Sequence, residues 1–165
     1  MLDVGRVTQL LEREGVKLIS ELQAAMVAQD ANASGRTSDS LGYEIIPQDE
    51  GLIFQLYGGV GWAFVEQGRG RTRNDGDGSL RGIIRQWMDD RGIEPDEPDM
   101  SKDTLAFLIT RAIHQRGTLL HLLNERRDIY TSVLTDERIE LILEEIGDDV
   151  EKQVLSDVVS NFKPR

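Results

Sequence analysis

The chain has 165 residues and no cysteine, with 39% hydrophobic residues, 30% charged residues and a formal net charge of −11. That length supports one domain with a real core, extended at most by a helical appendage, and the lack of cysteine excludes disulfides, thiolate metal sites and a cysteine nucleophile. The acidic balance excludes a general nucleic-acid coat, which needs cationic surface to displace counterions, yet suits a wall that DNA slides past without sticking. The opening residues lack the basic segment and apolar run of a signal peptide. No apolar stretch approaches the roughly 18 residues needed to cross a bilayer, so the expectation is a soluble protein made in a cytoplasm, with no membrane partner.

Val4, Val7, Leu11, Leu18, Leu22 and Ala25 recur at spacings of three and four, and Leu10, Ile19 and Met26 widen the stripe. The pattern predicts one amphipathic helix over 3–29. Gly15 interrupts it at about 1 kcal/mol relative to alanine, which points to a close contact or a bend. Residues 31–40 are polar and turn-rich and read as a loop. Strands follow at 41–47 and 52–57, joined by a turn at 48–51, as an antiparallel hairpin. A hairpin alone is marginal, so the long helix is expected to cover one face.

Gly58, Gly59 and Gly61 then permit a sharp change of direction. The stretch from Trp62 to Glu66 reads as a short helix or irregular turn, and 69–78 as an exposed, mobile loop. Leu80, Ile83, Ile84, Trp87 and Met88 mark a helix, with Ser79 as its candidate N-cap and Gly92 as its stop. Asp89 and Asp90 fall unfavourably near its negative end. Residues 93–99 form an acidic, proline-containing connector. Ser101 is the candidate cap of a further helix carrying Leu105, Leu108, Ile109, Ala112 and Ile113, broken by Gly117. Residues 129–134 read as a short strand or extended link. Thr135 is the candidate cap of a last helix running to about residue 160 along Ile139, Ile142, Leu143, Ile146, Val150, Val154 and Val158. The expected class is α+β: a long N-terminal helix packed on a small antiparallel β-sheet, then a mainly helical C-terminal part. The expected division is a core at 1–93 and helices at 94–165, with the connector as hinge.

Catalytic patterns are scarce. No Gly-x-Ser-x-Gly elbow or Ser-x-x-Lys pair occurs. His114 and His121 read as partly exposed helix residues with Gly117 between them. Asp75, Asp77 and Ser79 resemble the opening of a calcium loop, but Gln86 stands where its twelfth position needs an acid. Gly68 and Gly70 lack the Gly-Lys-Ser or Gly-Lys-Thr of a phosphate loop. No catalytic residue, metal ligand or cofactor is therefore assigned. Arg69, Arg71 and Arg73 form the stronger signal, alternate guanidinium groups that can pair with a partner's carboxylates or with DNA phosphates; a solvated loop is the plainer reading. Glu66, after Trp62, Phe64 and Val65, is expected in a structural ion pair. The candidate partner- or subunit-contacting residues are Trp62, Glu66, Arg69, Arg71 and Arg73, and DNA-channel residues are not assigned.

Three segments carry a family resemblance. Ala33-Ser34-Gly35-Arg36-Thr37-Ser38-Asp39-Ser40-Leu41 is similar to an Asp-Thr-Gly-x-Leu-x-x-Ser-Ile pattern, without the aspartate-threonine. Trp62-Ala63-Phe64-Val65-Glu66-Gln67-Gly68-Arg69 is similar to Tyr-Ala-x-Tyr-Val-Glu-x-Gly-Thr, with Arg69 in place of threonine. The segments Ile83–Ile93 and Leu105–Thr118 resemble Ile-x-x-Trp-Ile-x-x-Lys-Gly-Ile and Leu-Ala-x-x-Ile-x-x-x-Ile-x-x-x-Gly-Thr. In this order they resemble the small head-to-tail joining, tail-completion or neck proteins of tailed double-stranded DNA phages, over roughly residues 4–120. The resemblance implies a tail-terminator-like fold and a non-catalytic virion protein. It would stand as a homo-oligomeric ring, hexamer or dodecamer, between portal or adaptor and tail, and genomic DNA would pass through without sequence recognition. A non-catalytic protein-binding adaptor module is the alternative, and a small hydrolase using Glu66 and Asp75 a third reading.

Overall fold

The computed structural model describes residues 4–49, 51–72 and 78–161. In chain order the elements are α1 (Val4–Ala28), α2 (Arg36–Asp39), β1 (Gly42–Gln48), β2 (Gly51–Tyr57), a 3-10 helix (Val60–Phe64), α3 (Ser79–Asp90), α4 (Lys102–Arg116), α5 (Leu119–Leu122), α6 (Tyr130–Val133) and α7 (Asp136–Asn161). The α+β class, the long first helix, the antiparallel pair and the helical C-terminal part are as expected. No helix among the described residues is long and apolar enough to cross a membrane. The chain forms two compact units, one from Met1–Ala24, Leu41–Tyr57 and Tyr130–Arg165, the other from Ala25–Ser40 and Gly58–Ile129.

In the first unit, β1 and β2 pair with Tyr43 opposite Leu56, Ile45 opposite Phe54 and Pro47 opposite Leu52. Side chains alternate across a strand, so these six share one face. Tyr43 stacks on Phe54 with ring centroids 5.7 Å apart. Gly15 of α1 sits directly over Tyr43: a Cβ built there would lie 2.7 Å from the ring. The interrupted stripe thus marks a close helix–strand approach. Leu10, Leu11, Leu18 and Leu22 of the same helix are buried.

Ion pairs tie α1 to α7 in antiparallel order. Arg6 meets Asp149 at 3.7 Å, Arg13 meets Glu145 at 2.6 Å, and Arg138 reaches both Glu21 and, at 3.6 Å, Glu14. Glu14 is the buried member, 6% exposed, and also accepts from Lys17 Nζ at 2.6 Å. That hydrogen bond, ahead of the Arg13 charge and against the cost of burial, holds its carboxyl below the usual 4.5. Thr135 caps α7 as expected, its Oγ1 accepting from Arg138 N at 3.2 Å. Residues 130–133 are helical, where a short strand or extended link was expected. A short apolar run satisfies either period, and here the chain turns once before the cap.

In the second unit, α3 packs on α4, burying Leu80, Met88 and Ala106. Ser101 caps α4 as expected, accepting from Thr104 N at 3.1 Å. Ser79 does not cap α3: it is the first helical residue, and the capping position is Gly78 at φ 83°. Gly92 does end α3, at φ 64°, with Ile93 N donating to Met88 O at 2.8 Å and Gly92 N to Asp89 O at 3.1 Å. This double closure satisfies carbonyls the helix leaves unpaired. The acids at that end are answered by cations: Asp89 by Arg85 and Lys102, Asp90 by Arg36. Each partner's hydrogen bond holds its aspartate below the ordinary range. The stretch expected as loop at 31–40 contains the turn of α2, which supplies Arg36.

Two helical glycines separate propensity from packing. A Cβ added to Gly82 would have nothing within 4 Å of it, so Gly82→Ala should stabilise by about 1 kcal/mol through helix propensity. Gly15→Ala gains the same propensity but drives a methyl into Tyr43, and the overpacking, about 1–3 kcal/mol, should make it net destabilising. Urea melts of the two variants check the opposite signs. A second expectation concerns acid. Glu14 has a depressed carboxyl, so its contribution is present above pH 4.5 and is lost as pH falls below that value. Glu14→Gln should therefore be less stable than the parent at pH 7, and the gap should close on acidification.

Candidate functional site

The glycine–arginine stretch is built from the 3-10 helix outward. Gly59 N donates to Ser40 Oγ at 2.8 Å, and a Cβ on Gly61 would stand 2.6 Å from Thr37 Oγ1, so the 3-10 helix is seated on α2. Trp62 lies in this turn, half-buried. Gly68 then bends the chain at φ 71°, its N–H donating to Phe64 O at 2.9 Å. Between them Glu66 is fully buried, 0% exposed. Its Oε1 accepts from Arg126 Nη2 at 3.3 Å, and its carbonyl from Arg127 N at 2.9 Å. The expected structural ion pair is therefore present, and its partner lies 60 residues on.

Beyond Gly68 the chain runs as a strap against the end of α4 and the start of α5. Arg69 N donates to Thr118 Oγ1 at 2.9 Å, and Thr118 N returns a bond to Arg69 O at 2.8 Å. Thr72 N donates to His114 O at 3.0 Å, and Thr72 Oγ1 meets His114 Nδ1. Gly117, at φ 92°, makes the approach possible: a Cβ there would lie 2.8 Å from Arg69 O and 3.4 Å from Arg71 N. Residues 69–72, expected as mobile loop, are thus tied down by backbone pairing. The Arg69 guanidinium lies 5.9 Å from the Phe64 ring centroid, a cation–π contact. Arg71 is exposed. Arg73, Asp75 and Asp77 lie outside the described residues.

The site contains groups that pattern reading assigned no part. His114, read as a bland helix residue, anchors Thr72. His121, exposed in α5, stands over Gly70, whose Cβ would lie 3.3 Å from its Nε2. Thr118 supplies both ends of the Arg69 pairing. The Gly117–Thr118 pair was visible as a helix stop; its role as a seat for a segment 49 residues upstream has no local signature. Among the described residues no group of three or more histidine, aspartate or glutamate side chains is placed to hold a metal ion.

The first unit has a different feature, an apolar groove of about 1020 Å³. Leu52, Phe54 and Leu56 of β2 line it, with Leu11 of α1 and Ile142 and Ile146 of α7. No protein-family model matches the chain, nor does any curated protein or solved structure.

Thr118→Val keeps the shape but removes the acceptor of Arg69 N–H, and the unpaired donor should cost about 1–3 kcal/mol. Gly117→Ala should do more, since it places a Cβ against a carbonyl at a left-handed φ. Amide hydrogen exchange at Arg69 and Thr72 should speed up in both variants, more in the second, while amides within α7 keep their protection.

Proposed function

We propose that this chain is a structural subunit of the head-to-tail neck of a tailed double-stranded DNA phage. Copies form a ring between portal or adaptor and tail, and the genome passes through without sequence recognition. The protein does no catalysis in this role and belongs to the virion. The observation that carries the reading is the apolar groove of the first unit, lined by the half-exposed Leu52, Phe54, Leu56, Ile142 and Ile146 with buried Leu11 at its wall. Association between copies is the ordinary way a folded chain covers such a surface.

Three further points support it. The segments that carry the neck-protein resemblance occur in the family's order. The long helix laid on a hairpin matches the fold that resemblance implies. Glu66, the one acid considered for hydrolysis within the described residues, is fully buried with Arg126 on its carboxylate, which leaves it no access to a substrate.

The experiment is to purify particles of the phage that encodes the chain, quantify the protein per particle and image the neck by electron cryomicroscopy. The expected result is a hexameric or dodecameric ring of this chain between portal and tail. Particles of full infectivity that lack the protein would overturn the reading. A monomer in solution that captures one host protein would favour the adaptor alternative.

A further inference from the structure

The arginines divide into two groups. Arg6, Arg13, Arg36, Arg85, Arg91, Arg126 and Arg138 each hold a carboxylate within their own unit. Arg69, Arg71, Arg81, Arg111, Arg116 and Arg127 have no carboxylate partner among the described residues. Four of these lie on the segments that the strap binds together: Gly117 abuts Arg69 and Arg71, Arg116 precedes it, and Arg127 N holds the carbonyl of Glu66. Across 66–72 and 114–127, five arginines stand against two glutamates, Glu66 and Glu125, and Glu66 is consumed by Arg126. In a chain of net charge −11 this is a local reversal of sign, held on backbone that is pinned in place.

The first unit carries the complement. Glu140, Glu144, Asp148 and Glu151 of α7 recur at helical spacing and are all exposed. They occupy the side away from Ile142 and Ile146 and away from Glu145 and Asp149, which pair with α1. None of the four has a basic partner among the described residues.

We propose that the arginine patch of one copy, Arg69, Arg71 and Arg116, docks on the Glu140–Glu144–Asp148–Glu151 face of α7 in a second copy. The inference rests on the ring reading above and gives it an interface. The two surfaces are different, so the contact is head-to-tail, and a joined pair keeps one free surface of each sign, the α7 face of the first copy and the arginine patch of the second. Such a contact closes into a ring or runs on as a filament. Arginine suits it because its fixed fork of donors pairs with two carboxylate oxygens at once. Charge complementarity points to a second copy as occupant: this chain itself supplies a ready row of exposed carboxylates.

Charge reversal tests it. Two variants are made, R69E/R71E/R116E and E140K/E144K/D148K, with circular dichroism to confirm that each folds. Sedimentation velocity of the full chain in low salt is expected to show concentration-dependent association of the parent, weakened at least tenfold in either variant and by added salt. Association is expected to return when the two variants are mixed, and in a chain carrying all six reversals. A parent that stays monomeric in low salt at the highest soluble concentration overturns the proposal. So does a mixture that fails to associate, or a parent that binds a short DNA duplex through these arginines without self-associating. The readings fail separately. Restored association in the mixture, with the protein missing from particles, removes the neck role and keeps the contact. Normal incorporation of both variants into particles removes the contact and keeps the neck role.

Discussion

The reciprocal pairing of Arg69 with Thr118 holds the second unit's distinctive surface in place. An arginine loop of this composition in water would sample many conformations, and ordering it costs about 1–2 kcal/mol of backbone entropy per residue. Here the cost is met by hydrogen bonds. Arg69 gives and receives a bond with Thr118, Thr72 makes two with His114, and Gly68 returns to Phe64. Two glycines permit it for separate reasons. Gly68 supplies the left-handed bend that aims the strap, and Gly117 removes the side chain that would keep Arg69's carbonyl away. Buried Glu66 fixes the other end through Arg126 and the Arg127 amide. The arginines are consequently presented from fixed backbone.

The first unit meets the same problem of close approach with the same device. Gly15 forgoes helix propensity so that α1 can lie on the Tyr43 ring, which in turn is stacked on Phe54. Ion pairs, most of them solvent-exposed, then set the direction of α7 against α1. Exposed pairs are individually worth little, about 0–1 kcal/mol, and their value here is register: Arg6 with Asp149, Arg13 with Glu145 and Arg138 with Glu21 are compatible with one antiparallel alignment. That alignment leaves the groove between helix and hairpin uncovered, and it uses the carboxylates on one side of α7 while leaving those on the other side unused.

Periodicity and caps were legible in the sequence because they are local. The stripe from Val4 to Met26, the alternation through β2, Ser101, Thr135 and Gly92 all act within a turn or two of where they are read. Residues 129–134 were read as a short strand or extended link, and 130–133 are helical, because a short run of apolar and β-branched residues satisfies a strand as well as one helical turn. Ser79 failed as a cap because Gly78 already takes the left-handed angle at that position. The candidate site was legible as composition, not as structure. Arg69, Arg71 and Glu66 stood out, but the groups that fix the strap, Thr118 on Arg69, His114 on Thr72 and Arg126 on Glu66, lie between 42 and 60 residues away, and nothing in a single sequence encodes a pairing at that range. Loop composition alone predicted motion where the folded chain has backbone bonds.

Net charge proved a poor guide to local electrostatics for a related reason. A surplus of acid reads as a uniformly repelling surface only if the charges are spread evenly. At physiological ionic strength the screening length is about 8 Å, so a partner approaching the strap responds to the charges nearest it, Arg69, Arg71 and Arg116, more than to the net charge of the chain. Within each unit, ion pairs take up many of the arginines: Arg6, Arg13 and Arg138 in the first, Arg36, Arg85, Arg91 and Arg126 in the second. Among the charges left without an ion pair are a positive group on the strap and a negative row on the side of α7 away from Ile142 and Ile146. The strap of one copy and the α7 row of another favour contact between copies, because strap against strap and α7 against α7 are repulsive and strap against α7 is attractive.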